Sequence, residues 1–198
     1  MVGRNLLDPS EDRRPAERAD AVRNRQRVLD AAARLFGDRD PRSVTMDEVA
    51  KEAGVGRATL YRRYPSIGAI AEALLDRHEH ELQQRIISGP PPLGPGAPPA
   101  ERLAAFYGAM VTLLQTHAAL VLASEVGQAR FETGAYRFWR AHLRYLAREA
   151  GVSDPVAMAE TLLAPLAPEV FLEQRRLGAS LRAIERTLTR LARVLAEA

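Results

Sequence analysis

Seven consecutive residues, Arg57 to Arg63, combine three guanidinium groups with the hydroxyls of Thr59 and Tyr61 and contain no acidic side chain. A guanidinium group binds a phosphate or the edge of a guanine through paired hydrogen bonds, and hydroxyls suit phosphate oxygens and base edges. The solvated basic face of an ordinary amphipathic helix has the same composition. The chemistry therefore depends on how the surrounding elements present these side chains.

Two short helices joined by a glycine turn are predicted around this segment. Thr45 and Glu48 have the spacing of a capping box, with Val44 and Val49 at the flanking apolar positions. Gly54 is expected to end the first helix, because glycine adopts the left-handed turn conformation without a steric penalty.

The second helix is expected to begin near Gly56 and to bury Leu60, with Val55 in the angle between the helices. Helix, tight glycine turn and helix in this order place the second helix in the major groove of DNA. An amphipathic helical hairpin with a solvated basic face remains the alternative for the bare pattern.

Composition is typical of a folded chain of one or two domains, with 198 residues, 46% hydrophobic and 27% charged. The absence of cysteine excludes disulfides, thiolate metal sites and cysteine nucleophiles, and a reducing cytoplasm is the expected location. The charged N-terminus does not have the pattern of a signal peptide. No uncharged apolar run approaches the roughly 20 residues of a membrane span, so we expect no membrane partner.

The net charge of +3 originates in the N-terminal third, where residues 1–66 hold 14 Lys and Arg against 11 Asp and Glu. Six arginines form a basic run: Arg13, Arg14, Arg18, Arg23, Arg25 and Arg27. Such a run binds nucleic acid in some proteins and is merely solvated in others, so charge alone leaves both interpretations open.

The chain is predicted to be all-α, because alternating β-branched runs are missing and Ala, Leu, Arg and Glu recur at helical spacing. Residues 1–18 are expected to form a disordered arm and residues 19–65 a helix-turn-helix domain whose first helix covers about 20–36. Residues 66–198 are expected to form a second helical domain, interrupted by a Pro/Gly-rich loop at 89–99.

Within this second domain, helices are expected at about 66–87, 100–116, 118–128, 131–150, 155–176 and 180–196. Asp154 followed by Pro155 is a helix start signal. Pro165 and Pro168 are expected to break or kink the helix that follows, with a restart at Pro168.

From about Arg25 to Leu75 the sequence resembles the DNA-binding domain of tetracycline-repressor-like (TetR family) regulators. Four segments at fixed spacing carry the resemblance: Val28–Phe36, Val44–Val55, Thr59–Tyr61 and Tyr64–Ser66. The resemblance implies a three-helix DNA-binding domain followed by an all-α ligand-binding and dimerisation domain. It further implies a homodimeric repressor that reads a double-stranded operator of two-fold symmetry and is released by a small molecule.

By position, the resemblance and the exposed face assign DNA contacts to Thr45, Gly56, Arg57, Ala58, Thr59, Tyr61, Arg62, Arg63 and Tyr64. Thr45 is expected to hold the first helix of the motif against a phosphate through its cap. Tyr61 is expected to contact phosphate and Tyr64 mostly to pack.

Three positions depart from the family pattern. Gly56 replaces the more usual serine, Arg63 stands where histidine is common, and Ile67 replaces a frequent lysine. One phosphate contact is therefore expected to be lost, with Arg63 or the arginine-rich arm compensating. The arm arginines either reach a neighbouring minor groove or are simply solvated.

A ligand pocket in the second domain is expected to be apolar with a few polar groups. The candidate lining residues are Phe106, Tyr107, Met110, His117, Phe138, Trp139, His142 and Met158. For each of them an ordinary place in the helical core is the alternative. An apolar or amphipathic ligand is a weak preference from this lining.

Two leucine-rich stripes near the C-terminus are candidates for a dimer interface. Their residues are Leu162, Leu163, Leu166, Leu181, Ile184, Leu188 and Leu191. Packing within one chain would produce the same spacing of three and four, and the family resemblance favours the interface.

Other functions have weaker support. No phosphate-binding glycine loop, His-Glu-x-x-His motif or serine elbow is present, so we expect no enzyme and no cofactor. His78 and His80 point to different sides of a helix, so they are interpreted as surface residues and no metal site is expected. A DNA-binding activator or an architectural factor without a ligand remains the alternative function, favoured by a closed C-terminal core.

Overall fold

A computed structural model describes residues 9–39, 43–124 and 133–195. Within these ranges the chain contains helices and no strand, which confirms the all-α prediction. The chain divides after Leu74 into two compact units. The sequence predicts the boundary at residue 65, whereas this division falls inside the fourth helix.

The first unit is built on three helices and the start of a fourth. They are α1 (Pro9–Asp38), α2 (Met46–Ala53), α3 (Arg57–Arg63) and α4 (Ile67–Ser88), of which α4 continues into the second unit. Each of the four contributes a side chain to a small apolar core in which Leu29, Val49, Leu60 and Ile70 are almost fully buried. Burial of these side chains is the main source of stability for so short a set of helices.

The second unit adds five helices in the described ranges: α5 (Pro99–Ser124), α6 (Gly134–Glu149), α7 (Pro155–Leu163), α8 (Pro168–Arg176) and α9 (Leu181–Leu191). A 3₁₀ turn, Ala164–Leu166, separates α7 from α8, and another, Ala192–Leu195, follows α9. The long α5 packs against α6, α8 and α9 and is the centre of the core. The Pro/Gly-rich loop joins α4 to α5 and inserts Leu93 into that core.

Two helix boundaries differ from the sequence prediction. Helix α1 begins at Pro9, so residues 9–18 of the expected arm are helical, and residues 1–8 lie outside the described residues. The helices expected at 100–116 and 118–128 are one helix, α5, as far as Ser124. No break occurs near residue 117, because residues 109–124 contain no proline or glycine that would interrupt the helix. The side chain of His117 is buried at this point of α5. The break at Pro165 and Pro168 is present as expected.

The two leucine stripes lie largely inside a single chain, which corrects the prediction of a dimer interface from them. Leu162, Leu163, Leu166, Ile184 and Leu188 are buried in the core of the second unit, because α7 packs on α6 and α9 packs on α5. Only Leu181, which is half-buried, and Leu191, which is 38% exposed, remain at the surface. The spacing of three and four residues correctly indicates a buried helix face. It does not indicate whether that face packs within the chain or against a second copy.

One segment, Pro155–Arg176, is long and apolar enough by composition to pass for a membrane-spanning helix. In the structure it is interrupted, because α7 ends at Leu163 and α8 starts at Pro168. A span in a bilayer needs continuous helical hydrogen bonding, since lipid offers no partner to free backbone groups. We therefore interpret the segment as two short helices of a helical domain.

Candidate nucleic-acid interface and ligand cavity

The start of α2 has the predicted capping box. The Thr45 Oγ1 accepts from the Glu48 backbone N–H at 3.3 Å, and the Thr45 backbone N–H donates to Glu48 Oε2 at 2.8 Å. Val44 and Val49 are buried beside it, as the staple pattern predicts. The box fixes where α2 begins and leaves Thr45 itself exposed at that end.

Glu48 also binds Arg39, whose Nη2 donates to Glu48 Oε1 at 2.6 Å. This hydrogen bond, followed by those from Thr45, lowers the pKa of the Glu48 carboxyl from 4.5 to about 2. A carboxyl with a lowered pKa stabilises the fold above its unfolded-state pKa, and the contribution is lost as the pH falls through the folded value.

We therefore expect the first unit to lose stability between pH 4.5 and about 2 as the Glu48 carboxylate is protonated. Glu48→Gln should lower the melting temperature at neutral pH and flatten its pH dependence in that acidic window. Thermal melts of both proteins across the pH range measure the difference, with Glu52→Gln as an exposed control on the same helix. Parallel pH profiles for Glu48→Gln and the parent would contradict the assignment.

The turn between α2 and α3 depends on Gly54, as predicted. Its φ of 61° lies in the left-handed region, and its N–H donates to the carbonyls of Ala50 and Lys51. Arg27 of α1 closes the same end of α2, donating from Nε to the Ala53 carbonyl at 2.9 Å and from Nη2 to the Gly54 carbonyl. This role of Arg27 was not predictable from the sequence, because the partners are 26 residues apart and only the fold brings them together.

Helix α3 places Leu60 in the core. All of its remaining residues from Arg57 to Arg63 are exposed. The predicted contact residues Arg57, Ala58, Thr59, Tyr61, Arg62 and Arg63 are thus all accessible, as are Gly56 and Thr45. Tyr64 is the exception: it is buried, consistent with the packing role expected for it, and its hydroxyl has no hydrogen-bond partner among the described residues. Gly56 caps α3 without a side-chain hydrogen bond.

Acidic side chains lie beside the exposed face of α3. Arg57 Nη2 lies 2.7 Å from Asp47 Oδ2 of α2, and both side chains are more than half exposed. Arg62 and Arg63 line a surface groove between α3 and α1, together with Arg25 and Asp20 of α1. The arm arginines Arg13, Arg14 and Arg18 have side chains outside the described residues, so their expected role stays a prediction. The combined surface is basic and rich in hydrogen-bond donors.

A cavity of about 380 Å³, partly open to solvent, lies in the second unit and is lined by parts of α4, α5, α6, α7 and α8. Its wall is largely apolar, with Met110 and Trp139 among the large side chains. The polar residues of the lining are Glu79, His117, Thr133, Tyr136 and Glu160. An apolar pocket with a few convergent polar groups is the usual form of a small-molecule site.

Three of the eight predicted ligand residues, Met110, His117 and Trp139, line this cavity. The other five do not. Phe106 and Tyr107 are fully buried in the core, Phe138 and Met158 pack against it, and His142 is buried with its ring 5.5 Å from that of Phe106. Tyr107 donates its hydroxyl to the Leu162 carbonyl at 3.0 Å, which satisfies it without a ligand.

Several lining residues were missed by the sequence analysis. Glu160 and Tyr136 line the cavity from neighbouring helices, and Leu163 and Leu166, expected at a dimer interface, line it too. A charged residue on an otherwise apolar helix was the only available signal for Glu160, because its place in the wall depends on the packing of α7 on α6.

His117 is buried and pairs with His78 of α4, with 2.7 Å between His78 Nδ1 and His117 Nε2. The interpretation of His78 as a surface residue was therefore wrong, since it is half-buried against α5. Burial, and secondarily the neighbouring His78, lowers the pKa of His117 to about 4. His117 is thus neutral at physiological pH. Among the described residues no cluster suited to a metal ion is found.

Comparison with known proteins places the first unit in a family. The sequence profile described as "Bacterial regulatory proteins, tetR family" matches residues 28–74. An uncharacterised HTH-type transcriptional regulator of Mycobacterium tuberculosis is 46% identical over 77 residues, which are 39% of this chain and 37% of the relative. The chain thus spans little more than a third of that relative, and the match says nothing about the remainder.

Similarity of fold extends over most of the chain. A TetR/AcrR-family transcriptional regulator from Thermobifida fusca has a TM-score of 0.62 at 19% identity, covering 85% of this chain and 95% of that one. FadR from Bacillus subtilis, whose structure was solved with stearoyl-CoA, has a TM-score of 0.61 at 15% identity, covering 84% and 96%. Identities this low show the fold alone. Residues 28–74 thus match the tetR family of bacterial regulatory proteins, and most of the chain shares the fold of solved regulators of that family.

Proposed function

We propose that the protein is a sequence-specific DNA-binding transcriptional regulator, and specifically a repressor released from its operator by a small molecule. The observation that carries the proposal is the exposed face of α3. Three arginines, Thr59 and Tyr61 project from a helix that a glycine turn and buried Leu60 hold in a fixed orientation. Side chains of these types read base edges and phosphates in the major groove.

The cavity supports regulation by a ligand. A regulator without a ligand, whether an activator or an architectural factor, would have no use for about 380 Å³ of unfilled apolar space in its second unit. The ligand-responsive form is therefore favoured over that alternative. The wall of the cavity suits an apolar or amphipathic molecule.

A homodimer on an operator of two-fold symmetry is part of the proposal. Val170 and Leu177 on and after α8, and Leu191 and Val194 on and after α9, are between 37% and 71% exposed. Exposed apolar groups on two helices that both pack on α5 suit a symmetric contact with a second copy. We also infer a cytoplasmic location and no enzymatic activity, in keeping with a DNA-binding regulator.

Operator selection tests the function directly. Duplexes selected from a random library, and the DNA upstream of the protein's own reading frame, should yield one inverted repeat that the full chain protects from nuclease. Binding should weaken steeply with salt, with a log–log slope of about −0.9 for each phosphate contact, because bound arginines displace counterions. Affinity that is independent of salt would exclude DNA as the partner.

Asp47→Asn should strengthen operator binding by about twofold to fivefold, the range expected for an exposed ion pair. The change frees Arg57 for phosphate and removes a negative charge beside the DNA surface. Fluorescence anisotropy with the selected duplex measures the effect, and Glu52→Gln on the same helix serves as the charge-matched control. Weaker binding by Asp47→Asn would mean instead that Asp47 orients Arg57 for DNA.

A further inference from the structure

The charged groups of the cavity have one sign. Among the described residues, the charged side chains of its wall are the carboxylates of Glu79 and Glu160, and no lysine or arginine lines it. Glu160 accepts from Arg140 Nε at 2.5 Å through Oε1, while its Oε2 has only the Tyr136 hydroxyl, at 3.5 Å. A carboxylate oxygen accepts about two hydrogen bonds, so Oε2 retains capacity for a stronger donor.

A second observation is the unsatisfied nitrogen of His117. The side chain is 99% buried (1% exposed) and lines the cavity, and its Nδ1 has no hydrogen-bond partner among the described residues. With the proton on Nε2, His117 donates to His78 Nδ1 and presents a bare Nδ1 lone pair as an acceptor. This nitrogen is itself inaccessible, so His117 contributes a neutral ring to the wall and no positive charge that would oppose a cation.

We propose that the cavity binds a cationic amphipathic molecule, an ammonium or amidinium group on an apolar or aromatic body. The cation would donate to Glu160 Oε2, and its body would lie on Leu163 and Trp139. This inference rests on the proposed ligand-responsive function and names the chemical class of its effector.

The aromatic and anionic parts of the wall select for the same class. The rings of Trp139 and Tyr136 attract a cation placed over their faces. A carboxylate or phosphate headgroup would instead meet two carboxylates with no basic side chain among the described wall residues, and it would lose its hydration without compensation. Anionic ligands such as acyl carboxylates are therefore disfavoured.

Trp139 is the only tryptophan of the chain and lines the cavity, so its fluorescence reports occupancy in the full-length protein. The probes are phenylpropylamine, phenylpropanol and hydrocinnamate, which share a phenyl body and carry a positive, neutral or negative headgroup. We expect phenylpropylamine to bind at least about tenfold more tightly than either other probe, because charge-assisted hydrogen bonds replace neutral ones. Equal or tighter binding of hydrocinnamate, or no binding of any probe, would overturn the proposal.

Variants locate the cation. Glu160→Gln should weaken the binding of phenylpropylamine about tenfold and leave the binding of phenylpropanol unchanged. If Glu160→Gln lowers the melting temperature too far for titration, Glu79→Gln gives a second test. Arg140→Gln should strengthen the binding of phenylpropylamine, because Glu160 is released from its ion pair. If the cavity instead binds anions, the same variant should weaken the binding of hydrocinnamate. The matched control is Glu173→Gln, an exposed carboxylate that also binds an arginine but lies outside the cavity.

DNA release is measured separately, so that failure of this proposal and failure of the proposed function remain distinguishable. If phenylpropylamine binds most tightly but does not release the protein from its DNA duplex, the ligand class is upheld and regulation by the ligand is contradicted. Release of the duplex by hydrocinnamate alone would uphold regulation and contradict the ligand class.

Discussion

Arg62→Ala and Tyr61→Ala each lower the affinity of the protein for its operator by about tenfold to a hundredfold, the usual cost of losing one good contact to DNA. Both side chains are exposed on α3, while the buried Leu60 anchors the helix in the core. The substitutions therefore remove hydrogen-bonding and charged groups without removing core packing. Anisotropy titrations with the selected duplex measure the affinity, and thermal melts verify that the fold is intact.

The two variants should differ in how salt affects them. An arginine that binds phosphate accounts for about one unit of the log–log salt slope, so Arg62→Ala should flatten it if the contact is to phosphate and leave it unchanged if the contact is to a base. Arg34→Ala is the matched control, because Arg34 is an exposed arginine of the same unit that pairs with Glu52 of α2 and is not among the predicted DNA contacts. Unchanged affinity of both Tyr61→Ala and Arg62→Ala would eliminate α3 as the reading helix.

The helix-turn-helix was predictable because its determinants are local. The capping box pairs Thr45 with a residue three positions away, and Gly54 needs only its own backbone conformation. Burial of Leu60 follows from helical spacing within a seven-residue element. Such features are encoded in neighbouring residues and do not depend on the rest of the chain.

Features that join distant segments were missed. Arg27 caps α2 across 26 residues, and His78 meets His117 across 39. Nothing in the sequence near either residue indicates its partner, because only the packing of helices brings them together. The same limit explains the error on the dimer stripes, since the face of α9 that carries Ile184 and Leu188 is covered by α5 rather than by a second copy.

The sequence could not separate residues of the cavity wall from residues of the core for a related reason. Aromatic and polar side chains on helical faces are equally compatible with a core and with a cavity, and the difference lies in volumes that only the assembled helices define. Met110, Trp139 and Phe106 have the same apolar character, yet the first two line the cavity and Phe106 does not. Substitution of Phe106 therefore separates the two interpretations.

Phe106→Ala should lower the free energy of unfolding of the second unit by about 3–5 kcal/mol, the cost of deleting a large buried aromatic side chain. The side chain is fully buried, and its ring lies 6.2 Å from Tyr107, 5.8 Å from Trp139 and 5.5 Å from His142 between ring centres. Truncation leaves a void among these rings that rigid helices cannot close. Urea unfolding followed by Trp139 fluorescence measures the loss, because Trp139 lies in the same unit.

Tyr145→Ala is the matched control, since Tyr145 is an aromatic residue of α6 that is 48% exposed, and it should cost far less. A residue of the ligand site would behave differently from a core residue: its loss would weaken probe binding while the unfolding midpoint stayed near that of the parent. If Phe106→Ala gave that pattern, Phe106 would belong to the cavity wall and the wall would extend deeper than Trp139. If it lowers the midpoint as expected, Phe106 supports the wall from behind, and the cavity keeps its shape only while the aromatic cluster around that ring stays filled.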